Sequence, residues 1–138
     1  MIFMPGISKK ESIAVKQNEK RIDILIVDDQ PYIPDLLSVE LTQDGYLVKR
    51  AGNAEAMWEY LRDMQPDLLL LDHYLNGTES WDVLLDINRR RPEIPVLIYV
   101  IKHFDALYRL KQTISEVLSL KRNVLKEWGK INLIKDCA

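Results

Sequence analysis

The chain has 138 residues, 47% of them hydrophobic and 29% charged, the composition of one globular domain with a core of about five strands and their covering helices. Its net charge is −2; residues 1–21 hold five cations (Lys9, Lys10, Lys16, Lys20, Arg21) against two anions (Glu11, Glu19), a balance of +3 that leaves −5 on residues 22–138. An acidic body argues against a nucleic-acid surface, which needs a basic patch, and no segment approaches the roughly 20 apolar residues of a membrane span. Residues 1–21, with Pro5, Gly6, Ser8 and Asn18, read as a flexible leader, and residues 22–138 as the folded domain. The only cysteine, Cys137, permits no internal disulfide, reads as a frayed terminal thiol and suits a reducing, cytoplasmic setting.

Ile22–Val27 is an apolar, β-branched run that predicts a first strand, and it ends in the acid pair Asp28-Asp29. Gln30-Pro31-Tyr32-Ile33-Pro34 opens a helix whose Ile33, Leu37 and Leu41 repeat at helical spacing, with Gly45 as its stop. Tyr46–Ala51 is more polar, as an edge strand is. Asn53 is placed to cap a second helix with Met57, Leu61 and Met64 on its inner face, ended by Pro66.

Leu68-Leu69-Leu70-Leu71 is too short for a membrane and shows no helical stripe, so it predicts a strand buried on both faces of a parallel sheet. Asp72 stands where that strand leaves the core, the place at which open α/β sheets bind ligands. The loop His73–Thr78 follows, with the turn pair Asn76-Gly77. Glu79–Arg91 predicts a third helix, Pro95–Ile101 a fourth strand, Phe104–Ile114 a helix, Glu116–Leu120 a short fifth strand, and Asn123 the cap of a last helix through Ile131. Strands and helices alternating five times imply a doubly wound five-stranded parallel sheet with helices on both faces, its crossovers right-handed.

The chain from Ile22 to Ile134 resembles a response-regulator receiver domain, the flavodoxin-like phosphoacceptor module of two-component signalling. The motifs are Ile-Leu-Ile-Val-Asp28-Asp29-Gln-Pro, Pro66-Asp-Leu-Leu-Leu-Leu-Asp72-His-Tyr-Leu-Asn-Gly77 and Pro95-Val-Leu-Ile. An acid pair after strand one and a lone Asp after strand three form a fairly specific combination. The resemblance implies that Asp72 is phosphorylated by a histidine kinase or phosphotransfer protein with Mg2+. It further implies that Asp28, Asp29, Asp72 and the Tyr74 carbonyl hold the metal, and that Lys121, after the fifth strand, neutralises the phosphoryl group. Magnesium suits this donor set because it takes hard oxygen ligands, and a carboxylate cannot approach a charged phosphoryl group without such neutralisation. The output is expected through a downstream protein partner, without nucleic-acid or membrane contact and without separate substrate turnover. Homodimers are common in the family.

The chain departs from the family at the end of strand four, where Val100 and Ile101 stand in place of a hydroxyl residue and a small residue. No aromatic occupies the predicted fifth strand, Asn76 stands where proline is common, and Ser80 where glycine is. These departures leave a second reading, a pseudo-receiver acting as a phosphorylation-independent interaction module. A nucleotide- or flavin-binding domain is disfavoured, because Asp28-Asp29-Gln30-Pro31 occupies the place of a glycine-rich loop. His73 and His103 read as solvated loop histidines without a zinc pattern. Trp58, Trp81 and Trp128 read as packing residues, Trp81 being close enough to the loop to report on it.

Overall fold

A computed structural model describes residues 21–103, 106–123 and 132–137. The predicted leader, apart from Arg21, and the predicted last helix lie outside the described residues. In chain order the elements are β1 Asp23–Val27, α1 Tyr32–Gln43, β2 Leu47–Ala51, α2 Ala54–Asp63, β3 Leu68–Asp72, β4 Tyr74–Leu75, β5 Thr78–Glu79, α3 Trp81–Arg90, β6 Val96–Ile101, α4 Ala106–Asn123 and β7 Asn132–Cys137. The main sheet is parallel in the order β2-β1-β3-β6-β7. The doubly wound α/β fold expected from the alternation is therefore present.

Successive strand residues point to opposite faces, and the central strands are apolar at every position because both faces are covered. Ile24, Ile26, Leu68, Leu70, Leu97 and Tyr99 pack beneath α1 and α4 on one face. Leu25, Val27, Leu69, Leu71, Val96 and Ile98 pack beneath α2 and α3 on the other. All four leucines of β3 have no exposed surface. The Asn53 side chain accepts the Ala56 N–H at 2.7 Å, the expected cap of α2. Gly45 adopts φ +97° after α1, a conformation that glycine reaches without a steric penalty.

Two expectations are corrected. Glu116–Leu120 is not a strand: Leu107, Leu110, Ile114, Val117 and Leu118 continue one helical face, so α4 runs unbroken to Asn123. Asn123 is the last residue of that helix, and the helix it was expected to cap lies outside the described residues. The fifth strand is β7, which carries Cys137 as its last residue opposite Ile101, so the terminal cysteine is in register within the sheet. α4 lies on the face of α1, where Lys111 pairs with Glu40 at 3.0 Å and Asp44 at 3.2 Å. Burial of α4 against Leu97 and Tyr99 accounts for its position.

Candidate functional site

Parallel strands bring their carboxyl ends to one edge, and here that edge gathers acids. Val27 pairs with Leu71, so Asp28 and Asp72 continue neighbouring strands side by side. One carboxylate oxygen from each of Asp28, Asp29 and Asp72 lies within 4.8 Å of the others. Asp28 is buried, with 6% of its surface exposed, whereas Asp29 and Asp72 are half-buried.

Asp28 is held from three sides. Its N–H donates to the Ala51 carbonyl at 3.0 Å, its Oδ1 accepts the Gln30 N–H at 2.9 Å, and its Oδ2 accepts the Tyr99 hydroxyl. Asp72 is held loosely, by a 3.4 Å contact from the Tyr74 N–H. Burial, reinforced by the neighbouring Asp28 and then Asp29, pushes Asp72 up to about 7, and the Tyr74 N–H opposes this. Burial and the charge of Asp28 also hold the Tyr99 phenol well above its ordinary range, so it stays protonated and donates.

The segment after Asp72 is more regular than the loop predicted. β4 and β5 pair as a hairpin, Tyr74 with Glu79 and Leu75 with Thr78. Asn76 (φ 54°) and Gly77 (φ 81°) supply the two positive dihedrals of a two-residue turn. Asparagine therefore serves here because proline's fixed φ cannot. Ser80 is buried; its hydroxyl donates to the Asp72 carbonyl and its N–H to the His73 carbonyl at 2.9 Å. That is what a serine does where glycine is common. The helix predicted from Glu79 consequently begins at Trp81.

The three carboxylates form a hard, anionic oxygen site that fits Mg2+. A scan of the chain finds the response regulator receiver domain over residues 24–131. The chain belongs to the response-regulator receiver family.

Relatives of this receiver include the nitrogen assimilation regulatory protein NtrX of Azorhizobium caulinodans, 36% identical over 55% of this chain and 17% of that protein. The DNA-binding dual master transcriptional regulator RpaA of Synechocystis is 38% identical over 54% of this chain and 32% of that protein. The probable transcriptional regulator ycf27 of Cyanidium caldarium is 29% identical over 87% of this chain and 57% of that protein. The receiver thus spans only part of each of these regulators. Among solved structures, NtrX of Brucella abortus superposes with TM-score 0.65 at 27% identity, covering 78% of this chain and 29% of that one. TrrA of Thermotoga maritima, in complex with Mg2+ and BeF, shares the fold with TM-score 0.63 at 24% identity, over 70% of this chain and 98% of that one.

Receiver domains are signalling modules, and membership implies a phosphodonor. Among the described residues no helix is long and apolar enough to cross a membrane. Lys121 is the site residue that the structure displaces: it lies in the last turn of α4, not after a strand, because the strand used to count to it is helix. Lys102 is exposed and follows β6 directly, and Lys135 lies within β7, level with Tyr99. Val100 and Ile101 are half-buried at the end of β6. His73 meets Tyr74 and Trp81 edge-on, with ring centroids 5.4 and 5.8 Å apart, and Arg90 stacks on Trp58. Sequence reasoning missed Tyr99 and the contact of the Ser80 hydroxyl with the Asp72 carbonyl; a lone tyrosine in an aliphatic strand was the available signal.

Proposed function

We propose that this receiver is phosphorylated on Asp72 by a histidine kinase or histidine phosphotransfer protein, and that it signals through a protein partner. The observation that carries this reading is the convergence of Asp28, Asp29 and Asp72 at the carboxyl edge of the sheet. A carboxylate oxygen of Asp72 attacks the phosphorus of a phosphohistidine; the P–N bond breaks and its electron pair returns to the imidazole. Asp28, Asp29, Asp72 and the Tyr74 carbonyl would hold magnesium, which supplies neutralisation of carboxylate and phosphoryl charge. Lys102, leaving the strand beside that of Asp72, takes the neutralising role expected of Lys121. The cytoplasm, where a soluble kinase domain can reach the site, is the setting we assign.

The test is intact-protein mass after incubation with acetyl phosphate and MgCl2. Wild type is expected to gain one phosphoryl group, Asp72→Asn none, and Lys102→Ala to gain it more slowly. No gain in wild type overturns the reading.

The lack of a hydroxyl at Val100 supports the second reading, a phosphorylation-independent interaction module. Thermal unfolding separates the two. If beryllofluoride with magnesium stabilises wild type beyond magnesium alone, and Asp72→Ala removes that increment, the signalling reading stands. If beryllofluoride adds nothing, the interaction module is favoured.

A further inference from the structure

We infer that Tyr99 is a positioning residue of the acid site, its buried hydroxyl fixing the Asp28 carboxylate for the metal. The inference rests on the magnesium reading above and assigns part of that site to a strand interior. Tyr99 lies on β6, yet its hydroxyl reaches past β3 to the acid that follows β1, 71 residues earlier. Its ring is 1% exposed and belongs to the cluster that contains Leu70, Leu97, Ala106 and Leu110, so the direction of the O–H is set by core packing.

At Asp28 the two oxygens are divided between two donors, Gln30 N–H on Oδ1 and the Tyr99 hydroxyl on Oδ2. Each oxygen retains a further lone pair for a cation or its water. Hydrogen bonds to a charged group are among the strong ones, and groups that orient metal ligands from behind typically govern affinity 10–100-fold. Without the hydroxyl, Oδ2 of a buried carboxylate loses its donor while the Asp29 and Asp72 carboxylates remain beside it. β6 is otherwise aliphatic, Val96-Leu97-Ile98 before Tyr99 and Val100-Ile101 after it, and valine occupies the position where the family places its hydroxyl. The tyrosine thus restores a β6 hydroxyl to the site, directed at the metal side of it.

The experiment is calorimetric titration with MgCl2 alone on wild type, Tyr99→Phe and Leu110→Val, with unfolding followed in parallel. Tyr99→Phe keeps the ring and is expected to raise the Kd for magnesium roughly tenfold. Leu110→Val loosens the same cluster and is expected to leave the Kd unchanged. Equal affinity in Tyr99→Phe, tighter binding, or an equal loss in Leu110→Val overturns the inference. If wild type itself fails to bind magnesium, the metal reading falls and this one with it, which is a different result from binding that ignores the hydroxyl. A measurement on wild type covers the case in which Tyr99→Phe does not fold. The buried Tyr99 hydroxyl proton is expected to give a slowly exchanging NMR signal that magnesium shifts, and a signal indifferent to magnesium overturns the assignment.

Discussion

Burial, with Asp28 and Asp29 as neighbours, raises the Asp72 carboxyl to about 7, and this makes the metal-free protein sensitive to pH in a definite direction. In the unfolded chain an aspartate titrates near its ordinary value, about 3.9. Between roughly that pH and pH 7 the folded state binds the extra proton, so the stability that protonation confers is lost as pH rises and is gone above about 7. The metal-free melting temperature is therefore expected to fall from pH 5 to pH 8 as measured by circular dichroism. Asp72→Asn should remove that slope and melt higher than wild type at pH 8. Magnesium must displace the proton, so its affinity should rise through the same window. At this scale the acids were legible because carboxylates after buried strands have little structural reason to be there. Tyr99 and Ser80 were not, since their hydroxyls act on groups 71 and 8 residues away, and spacing alone encodes no such contact.

Among the elements, β3 and the hairpin after it fix where Asp72 sits. Leu70 has no exposed surface and packs among residues from both neighbouring strands, so Leu70→Ala is expected to cost about 2–5 kcal/mol in urea unfolding. Ser80→Ala leaves the Asp72 carbonyl without its donor, for about 1–3 kcal/mol, and should also weaken magnesium binding by loosening the hairpin; a loss of stability with unchanged magnesium affinity would contradict that link. Gly77→Ala strains a φ of 81° and should cost roughly 1–2 kcal/mol. The strands of the core were readable because continuous apolar runs between acids and prolines leave few alternatives. Glu116–Leu120 was misread because five residues hold barely more than one helical turn; only the run from Leu107 to Leu118 reveals period 3.6. β7, with Asn132, Lys135 and Asp136 among its six residues, lacks the apolar continuity that marked the others.

The whole molecule couples its stability to the acid edge. Ligand that binds only the folded state stabilises it by about 2.7 kcal/mol at 100 times Kd, which for a domain of this size is roughly 10 °C in melting temperature. Such a magnesium-dependent rise is expected in wild type and should vanish in Asp72→Ala. The ion pairs of Lys111 with Glu40 and Asp44 tie α4 to α1 across partly exposed surface, so Lys111→Met should change unfolding by less than about 1 kcal/mol; a larger loss would make charge, not the apolar face of α4, the reason the helix lies there. The placement of α4 on the face of α1 was not legible, because in sequence its apolar run from Leu107 to Leu118 divides between a predicted helix and a predicted strand.

The hairpin closed by Ser80 has a thermodynamic consequence. Asp72 and Ser80 are already joined through the Asp72 carbonyl, and the intervening turn has its dihedrals set. A cation arriving at Asp72 need not order a loose segment. Its binding should be driven by water released from ion and carboxylates, with a favourable entropy and little heat-capacity change, at a rate set by dehydration of the ion and not by rearrangement of the chain.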